Sequence, residues 1–129
     1  MTAADADRLL VAEWRQLLAR HATTWCALER ALQEHHGLSA SEFEVLERLA
    51  VGGRGQCRVQ ELADAAYLSQ SAVSRLIARL ERDGLVSRSM CELDRRGIYV
   101  CLTDAGRERH AAARPTQRAI LAASLQATP

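Results

Sequence analysis

The chain has 129 residues, 48% of them apolar and 4% aromatic, with 17 basic against 16 acidic side chains. That length fits one domain, or one domain with dimerisation appendages, and the apolar content excludes a disordered chain. The near-neutral sum argues against a nucleic-acid binder, but the distribution does not: residues 1–47 hold four Arg against eight acids, and residues 48–129 hold thirteen against eight. An acidic front and a basic remainder suit a protein whose later segments meet phosphate.

Residues 7–36 contain neither Gly nor Pro and predict one long helix. Trp14, Leu18, His21, Trp25, Leu28, Leu32 and His35 recur at spacings of four and three, a heptad-like stripe. A helix about 42 Å long exceeds what a small domain needs to cover itself, so a dimerisation element is expected. Gly37 stops it. Ser39 and Glu42 then form a capping box for a second helix carrying Phe43, Leu46, Leu49 and Ala50 on one face, which ends in the glycine-rich stretch 52–55. That stretch reads as a turn and lacks the pattern of a phosphate-cradling loop.

Two short helices follow. Residues 59–67 place Val59, Leu62, Ala63 and Ala66 at helical spacing, and Leu68-Ser69 is the break. Ser69 caps the next helix, whose core face is Val73, Leu76, Ile77 and Leu80. Gly84 closes it, with Leu85 placed to pack back on Leu80. Residues 85–91 and 98–102 read as strands, the second alternating Ile98, Val100 and Leu102 against Tyr99 and Cys101. The charged stretch 92–97 between them predicts an exposed hairpin tip. Thr103 caps a last helix that Pro115 is expected to kink or interrupt and that then continues through Ile120, Leu121 and Leu125.

Two helices joined by a tight turn and followed by a hairpin with a basic tip make a winged helix-turn-helix. If the second helix buries its apolar face, Gln70, Ser71, Ser74, Arg75 and Arg79 face outward. Short polar side chains at its start admit the backbone to the major groove, where Gln and Arg can pair with adenine and guanine. Arg95 and Arg96 at the tip suit a neighbouring minor groove, whose concentrated negative potential attracts Arg. Arg82 and Arg88 fit surface or intramolecular roles as well as phosphate contact, and Arg79 is spaced to pair with Asp83.

These residues resemble the MarR family of transcriptional regulators. The resemblance rests on residues 59–63, 68–77 and 80–86 as the helix-turn-helix, and on Asp94-Arg95-Arg96-Gly97 followed by Val100-Cys101-Leu102-Thr103 as the wing signature. It covers nearly the whole chain and is most specific over residues 59–106, departing at the C-terminus, where family members carry a fuller helical region. It implies a mainly α fold with a small β-hairpin wing: residues 1–129 as one MarR-like domain, 38–102 the winged helix-turn-helix, 7–36 and 103–129 the dimerisation helices. It also implies a homodimer on a pseudo-palindromic operator in double-stranded DNA, a repressor rather than an activator. Arg96 would enter the minor groove, Asp94 would hold the wing through an ion pair, and recognition contacts would fall among Ser69, Gln70, Ser71, Ser74, Arg75 and Arg79.

The family implies an effector as well, and a small aromatic or phenolic ligand between the dimerisation helices and the DNA-binding lobe is the expectation. Trp14, Arg15, Trp25 and Phe43 are its candidate liners, although a core role fits the aromatics equally. Some relatives sense peroxide through a cysteine on the first helix, where Cys26 lies; a thiol there needs nearby positive charge to become reactive. Cys91 lies near the Arg-rich wing. The cysteines, with Cys57 and Cys101, have no close paired spacing and are expected reduced in a cytoplasmic protein, since no leader or membrane-spanning run is evident. His21, His35, His36 and His110 show no metal-ligand spacing, so neither a metal nor a cofactor is expected. A winged-helix protein-interaction module is the alternative from another class; its recognition face would lack Gln70, Ser74 and Arg75. No nucleophile–base pair supports an enzyme.

Overall fold

In this computed structural model the described residues are 1–52, 55–91 and 94–126, for residues 90–97 the backbone alone. They form helices α1 (Ala3–His36) and α2 (Ala40–Val51), strand β1 (Gln56–Arg58), helices α3 (Val59–Ala66) and α4 (Gln70–Arg82), strands β2 (Val86–Cys91) and β3 (Asp94–Leu102), and helix α5 (Asp104–Leu125). The strands make one antiparallel sheet of order β1-β3-β2. The fold is mainly helical with a β-hairpin wing, as the residue pattern implies.

Helix α1 starts four residues earlier than the sequence suggests. Thr2 and Asp5 cap it reciprocally: the Asp5 N–H donates to Thr2 Oγ1 at 3.2 Å and the Thr2 N–H donates to Asp5 Oδ2 at 3.2 Å. It ends where Gly37 turns left-handed at φ 66°. The apolar stripe along it is divided. Leu28 and Leu32 enter the protomer's core, whereas Leu9, Leu10, Val11, Trp14, Leu17 and Leu18 lie 47–64% exposed.

Ser39 and Glu42 make the expected capping box, with 3.0 and 2.9 Å hydrogen bonds. Phe43, Val45, Leu46 and Leu49 of α2 are fully buried. The core continues through Leu62 and Ala63 of α3 and Val73, Leu76, Ile77 and Leu80 of α4. Ser69 caps α4, its Oγ accepting from the Ala72 N–H at 3.1 Å. The far end of α4 closes as a Schellman turn: Leu85 N–H to Leu80 O at 2.9 Å, Gly84 N–H to Glu81 O at 3.0 Å, with Gly84 at φ 75°.

Two departures from the sequence reading have physical causes. Strand β1 was not expected, since Gln56-Cys57-Arg58 is too short to show alternation and exists by pairing with Cys101, Val100 and Tyr99 of β3. β3 begins at Asp94 and not at Ile98, because pairing with β2 resumes beyond a register shift at Met90/Cys91 and joins Cys91 to Asp94. As expected, the last helix continues past Pro115 to Leu125. The proline's missing donor costs a hydrogen bond, but α5 is held against α1 on both sides of that point. Arg109 Nη1 donates to His36 O at 3.0 Å, and His36 Nε2 meets Thr116 Oγ1 at 2.7 Å.

The base of the wing is tightly seated. Thr103 caps α5, its Oγ1 accepting from the Gly106 N–H at 3.0 Å, and the same hydroxyl donates to Gly84 O at 2.7 Å. Gly106 then lies flat on the chain leaving α4: a Cβ there would stand 2.0 Å from Leu85 O and 2.8 Å from Leu102 Cδ1.

Candidate nucleic-acid interface

Helix α4 divides cleanly. Its buried residues Val73, Leu76, Ile77 and Leu80 occupy one side, and at 3.6 residues per turn the opposite side is centred on Ser71, Arg75 and Arg82. Ser69, Gln70, Ser71, Arg75 and Arg79 are exposed and Ser74 is half-buried. The residues expected to face outward therefore do so together. Arg82, to which the sequence reading gave no preferred role, shares the line of Arg75 seven residues earlier. Arg79 makes no ion pair with Asp83 among the described residues, because Asp83 is the helix's C-cap. Instead Arg75 and Arg79 flank a cleft toward Glu29 and Ser41. Arg88 is drawn the other way, pairing with Glu81 at 3.4 Å.

Strands β2 and β3 carry the wing beside α4, and Asp94, Arg95 and Arg96 lie on the first residues of β3. The side chains of these three lie outside the described residues. At the inner end of the wing, the Arg58 guanidinium lies over the Tyr99 ring, 5.5 Å from its centroid.

Behind the helix-turn-helix a cavity of about 450 Å³ opens between α1, α5 and the end of α3. Leu17, Leu28, Leu121 and Leu125 form much of its wall, Trp25 and Tyr67 add rings, and Arg20, His21 and Glu44 are its charged or polar groups. Of the four residues expected to line a ligand site, the structure brings only Trp25 here. Phe43 is fully buried, stacked on His110 with centroids 5.4 Å apart, and belongs to the core. Trp14 is 58% exposed and Arg15 lines a separate surface groove, and neither lines the cavity. Tyr67 and Glu44 escaped the sequence reading. Tyr67 ends α3 at φ 55°, a left-handed conformation uncommon for a non-glycine residue, and is 94% exposed. Glu44 sits between buried Phe43 and Val45 on a helix that looks one-faced in sequence.

Two carboxyls of α2, Glu44 at the cavity wall and Glu47, are shifted in opposite directions. Burial pushes the Glu47 carboxyl up, but hydrogen bonds from Arg118 (2.6 Å) and His110 (2.7 Å) outweigh it and hold the group below its ordinary value. Burial, aided by repulsion from Glu47, raises Glu44 against a smaller opposing pull from Arg118. Cys26 is exposed on α1, and Cys57 is buried with its thiol pushed up by desolvation. Cys101 rests 3.2 Å from Ser89 Oγ, and the Cys91 side chain lies outside the described residues. Among the described residues no group of three or more His, Cys, Asp or Glu could hold a metal ion, and no helix is long and apolar enough to cross a membrane.

A sequence profile described as the MarR family matches residues 36–97. The HTH-type transcriptional regulator YkoM of Bacillus subtilis, itself uncharacterised, is 36% identical over 75 residues, covering 58% of this chain and 47% of that protein. The matched segments thus span about half or less of the curated relatives' length. Among solved structures, Sco3205 of Streptomyces coelicolor, a MarR family transcriptional regulator in complex with DNA, superposes with a TM-score of 0.84 at 30% identity, over 96% of this chain and 77% of that one. AbsC, a MarR family regulator from the same organism, gives 0.82 at 31% identity, over 96% and 80%.

Proposed function

The chain belongs to the MarR family of DNA-binding transcriptional regulators, which are not enzymes, and from that premise we propose that it is a cytoplasmic, sequence-specific repressor that acts as a homodimer on a pseudo-palindromic operator. Helix α4 reads the major groove through Ser69, Gln70, Ser71, Ser74, Arg75 and Arg79, with Arg82 on phosphate. The wing, with Arg95 and Arg96, enters the adjacent minor groove and Asp94 braces it. The carrying observation is the division of α4: four apolar side chains seated in the core leave a continuous polar and basic side opposite them. An interaction module that had given up DNA would have no use for that side.

The partner surface is the first half of α1 together with α5. Six large apolar side chains between Leu9 and Leu18 are about half exposed or more in the protomer. A contiguous patch of that kind marks an interface, and a second copy of the chain covers it. A small aromatic effector binds the cavity between α1, α5 and the α3–α4 turn, and releases DNA by favouring a dimer whose two α4 helices are wrongly spaced for successive major grooves.

The test is binding of the purified protein to its own upstream intergenic DNA across a salt series, with random DNA as competitor. Competitor-resistant binding that weakens steeply with salt is expected. Binding no stronger than to random DNA there, and no enrichment from a genomic library, would move the protein to the interaction-module reading.

A further inference from the structure

The chemistry of the cavity narrows what it can hold. Glu44 is half-buried at its wall and makes no hydrogen bond or ion pair among the described residues. The two basic groups that line the cavity with it are differently placed. Arg20 donates through Nη2 to Leu125 O at 2.6 Å, the last carbonyl of α5, so its charge is already set against the negative end of that helix. His21 lies flat on Trp25, ring centroids 5.9 Å apart and planes 17° from parallel. A carboxylate thus faces a mainly apolar space without a donor of its own, while Arg20 is committed to Leu125 O and Arg118, whose charge reaches Glu44, donates to Glu47 and Gln117. A half-buried acid in that position is stabilised by an incoming cation and destabilised by an incoming anion.

Resting on the reading of this cavity as the effector site, we infer that its ligand is an arylalkylamine, whose protonated aliphatic nitrogen pairs with Glu44 while its ring enters between Trp25, Leu28 and Leu121. The volume suits such a molecule, since ligand pockets commonly run from about 300 to 1,000 Å³. Tyr67 at the mouth offers a second ring for the cation to face. The arrangement selects against an aromatic acid of the same size, which would bring a second negative charge to Glu44.

Three probes with one ring system separate the possibilities: tryptamine, 3-ethylindole and indole-3-propionate, titrated calorimetrically into the full-length protein without DNA. Tryptamine binds most tightly, by about ten-fold over the neutral probe, the size of effect that about one well-placed charge pair supplies. Glu44→Gln removes that margin, lifts the penalty on the propionate and leaves the affinity of the neutral probe unchanged. Glu44→Asp, which keeps the charge and shortens its reach, retains part of the margin and guards against a folding defect in the first variant. Tightest binding by the propionate, an unchanged tryptamine margin in Glu44→Gln, or no binding by any probe would each overturn the inference. DNA binding is measured separately in the salt series, so a failed amine preference and a failed regulator reading give different results.

Discussion

The close seat of Gly106 on Leu85 sets two effects of one substitution against each other. Gly106→Ala adds helix propensity to the first turn of α5, worth about 1 kcal/mol in a helix interior. It also places a carbon 2.0 Å from Leu85 O, where a comfortable C···O approach is about 3.3 Å. Relief requires a movement of more than about 1 Å, and the obstacle is backbone, held by the Leu85–Leu80 and Thr103–Leu85 hydrogen bonds. Overpacking costs about 1–3 kcal/mol where flexible side chains can give way, and more where they cannot. The clash wins, with a net loss of about 2 kcal/mol or more, lowering Tm by roughly 6–10 °C at this chain length. Thermal unfolding at one fixed protein concentration measures it, since dimerisation makes Tm concentration-dependent. Gly84→Ala is the control: its φ of 75° makes Ala strained, yet no atom lies within 4 Å of the new carbon. It costs about 1–2 kcal/mol of backbone strain and leaves the wing's seat intact. A Gly106→Ala protein as stable as its parent would show that α5 is not seated on Leu85.

Arg75→Ala lowers operator affinity by about 1–3 kcal/mol, the loss of one bidentate base contact, in a fluorescence anisotropy titration; an unchanged affinity would take α4's outward side out of recognition. Arg96→Ala lowers affinity several-fold with an unaltered melting curve, and a folded variant that binds normally would remove the wing from the mechanism. Glu47 titrates below its ordinary value of 4.5 in the folded state, so its ion pairs stabilise the fold above that value and are lost as pH falls through the depressed one. Urea unfolding across that acid range should therefore be less pH-dependent in Glu47→Gln, while Glu44, raised when folded, opposes stability increasingly as pH climbs through its own value. Cys26→Ser leaves peroxide-induced DNA release unaffected; a variant made insensitive would establish Cys26 as a sensor.

The local devices were legible because each rests on a few neighbouring residues of constrained chemistry. Ser39 with Glu42, Ser69, Thr103, and Gly84 with Leu85 declare their caps and turns through hydrogen bonds that only those side chains or that backbone freedom permit. The α4 division was legible for a related reason, since a period of 3.6 assigns Val73, Leu76, Ile77 and Leu80 to one side whatever they pack on. What escaped depends on partners distant in sequence. β1 exists by virtue of a strand more than forty residues on. Pro115 forbids one hydrogen bond locally, and nothing near it announces that His36 and Thr116 hold the helix across the gap. Phe43 and Trp25 look alike in composition as pocket liners. Only the packing around it, complete burial with His110 stacked at 5.4 Å, decides that Phe43 is core.

The cavity shows the same limit and also why it matters. Glu44 reads as one more acid on a surface helix until α1 and α5 are placed around it. Helix α5 is then seen to link several of these parts along roughly 33 Å. Its first turn is seated on Leu85 just after the recognition helix, and its middle clasps α2 through His110, Arg118 and Glu47. Its last turn, with Leu121 and Leu125, walls the cavity and receives Arg20 from α1. Beyond Pro115 the last turns of α5 are tied to α2 through Arg118 and Glu47, so a ligand that displaces Leu121 and Leu125 loads that clasp first. Tyr67 supplies a shorter connection, since it lines the cavity while forming the turn that enters α4. Gly106→Ala and Tyr67→Ala therefore act on the two ends of one arrangement. The first should weaken operator binding in the absence of any ligand. The second should leave operator binding in place and blunt its release.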